Sequence, residues 1–287
     1  MNAKIITENS KKEILRLTTE RIKVEGSQNK YARSKAISEA TMSNFMKEKW
    51  ETISDEMWRK LAAACGYSDD SWQLAETAAF RDFTELIQDA QYNANVYAII
   101  GTAGLGKSAT ANFYTSNTPN SYWLECDEFW NKKQFLSELL QSMGRNADGM
   151  TAYEMMVELK NHVTKLDSPV IILDEVDKLK DEVLYFFISL YNRLQGQCGI
   201  ILCATDFLKK RIDRGVRLNR KGYKEIYSRL GRKFIELPEP ASIDIALICR
   251  ANGIEDKPTI KTIIDDAESD LRRVKKLVHK HKTVSNG

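Results

Sequence analysis

The sequence predicts an α/β fold: a parallel sheet carrying helices on both faces, preceded by a small all-α module and followed by helices alone. Three observations predict it. Between residues 74 and 238, short β-branched or apolar runs alternate with amphipathic helical patterns, as expected for strands joined by crossover helices. Two runs, at 170–173 and 200–203, are apolar without a break, as strands buried on both sheet faces are. A glycine-rich turn, GTAGLGKS, lies between the first run and the helical pattern after it.

The chain has 287 residues, 43% hydrophobic and 29% charged, enough for a core of several layers. Three units are expected: residues 1–67, 68–238 and 239–287. The polar break SDDSWQ at 68–73 and the pair Pro238 and Pro240 separate them. In the first unit a leading helix is expected over 11–23. Ser27 then caps a second helix, Ala32 is the small residue where two helices cross, and Ile37 fills the turn. A third helix starts near Ser38 with Met42 and Phe45 facing inward, and a fourth covers 54–64. An amphipathic helix at 76–91 leads into the middle unit. Its strands are expected at 96–100, 121–126 (SYWLEC), 170–173, 200–203 and 233–237 (KFIEL). Helices are expected at 107–114, 132–143, 152–166 and 181–194.

No apolar run approaches the ~20 residues that span a bilayer, and the N-terminal residues lack a basic-then-apolar signal pattern. A cytoplasmic protein without a membrane partner is expected. The five cysteines form no CxxC pair and the three histidines do not cluster, which excludes a zinc site and leaves reduced, buried thiols. Net charge is only +3, but residues 209–224 carry eight Lys/Arg against one acid, Asp213. Residues 272–282 carry six Lys/Arg and no acid. Such local patches matter more for DNA than the total does.

GTAGLGKS fits G-x-x-x-x-G-K-[ST] at every fixed position, with a strand pattern before it and a helix pattern after it. Its glycines, Gly101, Gly104 and Gly106, let the backbone bend so that N–H groups converge on phosphate oxygens. The nucleotide contacts are expected from Gly101, Thr102, Ala103, Gly104, Leu105, Gly106, Lys107, Ser108 and Ala109. Lys107 adds a cation for the β/γ-phosphates, the helix start adds its dipole, and Ser108 is a Mg²⁺ ligand. The second half is VIILDEVD at 170–177. A strand ending in Asp174 delivers a carboxylate to the sheet edge where α/β folds bind ligands, so Asp174 is the other Mg²⁺ ligand. Glu175 is placed to act as general base toward water. The strand SYWLEC lies in chain order between turn and acids; an inserted strand with this acid pair points to ATP hydrolysis rather than a kinase. Thr205, at the end of the fourth strand, either senses the γ-phosphate or caps the next helix.

Together these motifs resemble those of the AAA+ P-loop ATPases over roughly residues 72–282. GTAGLGKS resembles the family's Walker A motif, VIILDEVD its Walker B, and Thr205 stands at its sensor-1 position. The resemblance implies ATP and Mg²⁺ as cofactors and a C-terminal helical lid. It implies that Arg229, in YSRLGRKFIEL, is an arginine finger acting on a neighbour's ATP, with Arg232 the alternative. Ser269–Asp270–Leu271–Arg272 resembles the lid motif, with Ser269 where glycine is usual, and makes Arg272 the sensor-2 arginine. A finger acting in trans implies a ring or helical filament.

Residues 27–46 are similar to the helix-turn-helix of Cro-like repressors. The resemblance makes Thr41, Ser43, Asn44 and Lys47 candidates for the major groove, with Glu39 an awkward acid there. A Cro-like module on a single AAA+ module resembles the phage Mu B family of transposition proteins. Such proteins assemble on target double-stranded DNA with ATP, activate a transposase, and hydrolyse ATP to disassemble. Lys209, Lys210 and Arg211 in the basic stretch, and Lys132, Lys133 and Arg145 after the second strand, are further DNA candidates. A helicase loader or replication initiator and an ATP-controlled transcription regulator are the alternatives.

Overall fold

The computed structural model describes residues 8–67 and 72–285. The expected break at 68–73 therefore falls partly on residues 68–71, which lie outside the described residues. The chain begins with α1 (Glu8–Glu25), α2 (Gln28–Ser34), α3 (Glu39–Met46) and α4 (Asp55–Cys65), with a 3-10 turn at Trp50–Thr52. Ser27, Ser38 and Ser54 accept the backbone N–H of Lys30, Thr41 and Met57, at 3.1, 3.0 and 3.3 Å. Each cap starts a helix where the sequence pattern places one. Ile14, Tyr31, Ala32, Met42, Phe45, Trp58 and Leu61 form this bundle's own core. Trp58 takes Phe45 and Trp50 edge-on.

The middle of the chain runs α5 (Ala78–Asn93), β1 (Val96–Ile100), α6 (Lys107–Asn117), β2 (Ser121–Glu125), α7 (Lys132–Ser142), α8 (Ala152–Val163), β3 (Val170–Asp174), α9 (Asp181–Leu194), β4 (Gly199–Ala204), α10 (Asp206–Arg217), α11 (Tyr223–Arg229) and β5 (Ile235–Glu236). All strand pairs are parallel, in the order β2-β3-β4-β1-β5. Alternate residues serve opposite layers, as the two-residue strand period requires. Ile171, Leu173, Ile200 and Leu202 face the layer that includes α7, α8 and α9. Val170, Ile172, Ile201 and Cys203 face α5 and α6. All five cysteines are free and buried.

The sheet corrects two expectations. SYWLEC is an edge strand; the strand standing between β1 and β3 is β4, because chain order does not fix lateral order when crossovers are long. KFIEL contributes only Ile235 and Glu236, which pair with the last two residues of β1.

The C-terminal helices are α12 (Ser242–Ala251), α13 (Lys257–Ala267) and α14 (Leu271–Ser285), packed around Ile245, Ile248, Ile263, Val274 and Val278. The N-terminal bundle rests on the sheet layer through α1 and α2. Arg21 donates to the Ser116 carbonyl, and Lys30 Nζ lies 3.4 Å from the Tyr122 hydroxyl. Among the described residues, no helix is long and apolar enough to cross a membrane.

Candidate nucleotide site

The turn after β1 begins at the sheet's C-terminal edge, where the Gly101 N–H donates to the Ala204 carbonyl at 3.2 Å. Gly104 and Gly106 have φ of +86° and +89°, a region that costs little only for glycine. No side chain caps α6, so the N–H groups of Lys107, Ser108 and Ala109 open toward the turn. The Lys107 ammonium bonds the carbonyls of Gly101 and Thr102 at 2.7 and 3.0 Å. Burial lowers its pKa, partly offset by the nearby Asp174 and Asp177 carboxylates. Leu105 is buried, its side chain seated against Gly101, while Ala103 lines the open cleft.

Across from the turn, Asp174 is 2% exposed. One carboxylate oxygen accepts the Ser108 hydroxyl at 2.6 Å and the other accepts the Glu175 N–H at 2.9 Å. Glu175 has φ +54°, a conformation uncommon for a non-glycine residue. Its carboxylate pairs with Lys178, whose pKa this raises. Thr205 caps the next helix and meets a second partner in the cleft. Its oxygen accepts the Phe207 N–H at 3.4 Å as the cap of α10, and its hydroxyl donates to Asp177 at 2.5 Å, inside the cleft.

The C-terminal helices close the turn from above. The Leu271 N–H donates to the Gly104 carbonyl at 3.0 Å, and a methyl group on Gly104 would run into the Asp270 carboxylate. That carboxylate also accepts the Arg272 N–H at 2.8 Å. Arg272 lines the cleft, and its charge opposes that of Lys107. Ser269 has φ +58°, which explains why glycine is usual there. Gly104→Ala is expected to lose nucleotide affinity by at least about tenfold, since strain of ~1–3 kcal/mol adds to the collision. Gly106, in the same turn, also has a positive φ, +89°, but a methyl group there would meet only the Leu271 side chain, at an ordinary 3.5 Å. Calorimetry of ATP binding to Gly106→Ala isolates the backbone share; equal losses from both variants would remove the Asp270 contact from the account.

Two site features escape a reading of the sequence. Trp72, Leu74, Phe80, Ile248 and Leu271 form an apolar wall of the same cleft, whose volume is about 440 Å³. Lys275 lies 5.6 Å from the Trp72 ring centroid. Asn252 grips Gln73 twice, accepting its N–H and donating to its carbonyl, each at 2.9 Å. SDDSWQ reads as a polar break because its Gln and Trp meet partners about 180 and about 200 positions away. The other feature is Glu125, level with Asp174 in the β2–β3 register. Burial and the Glu175 carboxylate raise its pKa.

The structure redistributes the basic candidates. Arg211 is corrected: it is a packing residue, its guanidinium held by Asp181, Tyr223 and the Leu179 carbonyl. Lys209 pairs with Glu236, Lys210 with Asp206, Lys132 with Glu182 and Arg145 with Glu158, exposed or partly exposed pairs of small individual worth. Lys133 stays exposed at the start of α7. Arg229 is turned inward onto Asn192 at 3.0 Å and over the Tyr191 ring. Arg232 is exposed and has no side-chain partner among the described residues. In α3, Thr41, Ser43 and Asn44 are half-buried and Lys47 is exposed. Glu39 is paired with Arg33 at 2.7 Å, which offsets its charge.

The AAA domain family profile matches residues 89–212. No curated protein matches the chain by sequence. Among solved structures, NtrX from Brucella abortus in complex with ADP superposes with a TM-score of 0.52 at 13% identity, over 88% of this chain and 60% of that one. Drosophila ORC bound to DNA gives 0.47 at 13% identity, over 73% and 57%. The Thermotoga maritima RuvB Holliday junction branch migration motor gives 0.46 at 16%, over 73% and 63%. The chain thus spans about 60% of the length of the structures it matches. Residues 89–212, which include the turn and the acids, are thus similar to an AAA domain, and the chain has the α/β fold, with a five-stranded parallel sheet, of the AAA+ P-loop ATPases.

Proposed function

We propose that this chain binds and hydrolyses ATP, and that nucleotide state governs its assembly on duplex DNA as a target activator for a transposase. The observation that carries the ATPase reading is the meeting of Lys107, Ser108, Asp174, Glu175 and Thr205 in one cleft. Ser108 and Asp174 would hold Mg²⁺. Their two hard oxygens, 2.6 Å apart, suit an ion that takes one or two protein ligands and completes its shell with phosphate and water. When bound, the ion would neutralise phosphate charge.

In this reading Lys107 leaves the loop carbonyls for the β/γ-phosphates. Trp72, Leu74 and Phe80 hold the base. Glu175 takes a proton from the attacking water while the Asp177–Thr205 pair orients the phosphate end. Arg272 reaches in from the lid. Arg232 suits the finger role better than Arg229, because it forfeits no partner in reaching a neighbour.

The DNA reading draws on the α2–turn–α3 unit, whose caps and buried turn residue Ile37 suit a recognition helix, and on the likeness to the Mu B family. Anisotropy with random-sequence duplex should show ATP-dependent, sequence-blind binding that weakens steeply with salt. Electron microscopy should show rings or filaments on that DNA. A preference of about 10³-fold for one sequence would favour a transcription regulator, and binding indifferent to ATP would sink the proposal.

A further inference from the structure

The corner where α10 meets α11 carries an unbalanced charge. Three of the acids around it are already engaged: Asp206 with Lys210, Glu225 with Arg229, and Asp181 with Arg211 and Tyr223. Asp213 has no hydrogen-bond or ion-pair partner among the described residues and offsets one charge of the corner, while Lys209 pairs with Glu236. Arg214, Arg217, Arg220, Lys221 and Lys224 are left over. Each is exposed, and none has a side-chain hydrogen-bond or ion-pair partner among the described residues.

The platform under them is rigid. A methyl group on Gly215 would run into the Tyr223 ring, so α11 sits directly on α10. The Tyr223 hydroxyl donates to Asp181 at 2.9 Å, and Arg211 joins the same carboxylate and the Leu179 carbonyl. Asn219, with φ +53°, turns the chain between the helices. Cations on a fixed corner lose less freedom on binding than cations on a loop.

We infer that this corner is a sequence-blind contact surface for the sugar–phosphate backbone of duplex DNA, separate from α3. The inference rests on the DNA reading above and moves the contact from Lys209, Lys210 and Arg211 to the unpaired set. Five positive charges within one last turn, one link and one first turn span ~15–20 Å, where a duplex offers one negative charge per ~1.7 Å of axis. Single strands fit less well. They are gripped by stacking on aromatic rings, and the corner's aromatic side chain, Tyr223, is buried.

The test uses the full chain with ATP and a random-sequence duplex, followed by anisotropy between 50 and 200 mM salt. The triple variant Arg217→Gln/Arg220→Gln/Lys221→Gln should flatten the plot of log affinity against log salt by about 0.9 for each phosphate no longer neutralised, roughly 2–3 in total. Its ATP affinity, DNA-free turnover and melting temperature should stay at wild-type values. The charge-keeping variant Arg217→Lys/Arg220→Lys should hold the wild-type slope. A glutamine variant with unchanged slope and affinity overturns the inference and leaves the DNA reading standing. Wild-type protein that ignores duplex overturns both. Polyglutamate displacing the duplex at equal charge would assign the corner to an acidic protein and overturn it too.

Discussion

Glu175→Gln should leave ATP bound while turnover falls by about 10²–10⁴-fold, the usual share of a general base. The substitution keeps shape and removes only the proton acceptor. The Asp174–Ser108 bond and the Glu175 backbone bond to Asp174 do not involve the altered atoms, so the metal ligands stay in place. The Lys178 pair is weakened, but it lies partly in solvent, where such a pair is worth about 1 kcal/mol or less. Calorimetry should report near wild-type ATP affinity, and single-turnover phosphate release should carry the whole loss. Complexes on DNA should live longer in proportion. Normal turnover would take the role from Glu175 and pass attention to Glu125, the exposed acid level with Asp174 in the β2–β3 register.

Lys107→Ala should abolish measurable ATP binding and DNA assembly together. The ammonium is the one side-chain cation projecting from the turn, and its two present partners are backbone carbonyls. Each charged hydrogen bond to phosphate contributes ~1.5–3 kcal/mol, so losing two costs about 10²-fold or more in affinity. The turn itself should survive, because Gly104 and Leu105 are held by Leu271 and the sheet rather than by Lys107. Unchanged melting temperature with no heat of ATP uptake is the expected pair of results. Intact ATP-dependent assembly by this variant would falsify the link between the turn and DNA binding.

The parts legible in advance share a physical origin. Val96–Ile100 and Asp181–Leu194 have the bounds their patterns predict, because their side chains report local burial period and ends. Ser27, Ser38 and Ser54 mark helix starts through bonds that reach only three residues along the chain. The glycine turn is legible because its requirement is local backbone geometry followed by a lysine and a hydroxyl. Thr205 defeats a single reading because one hydroxyl serves a cap and Asp177 at once.

Charge was the least legible property. Eight basic residues in 209–224 look equivalent in sequence. They divide only when Asp181 and Glu236 arrive from α9 and β5. The same holds for Trp72 and Gln73, whose partners, at the end of α12 and on α14, lie far along the chain. The local alphabet of this chain set its helices, its glycine turn and the acids closing β3. Strand order, the apolar wall of the cleft and the choice of free cations were settled by packing. Each depends on groups remote in sequence, and such contacts leave no periodicity for a reader of the chain to find.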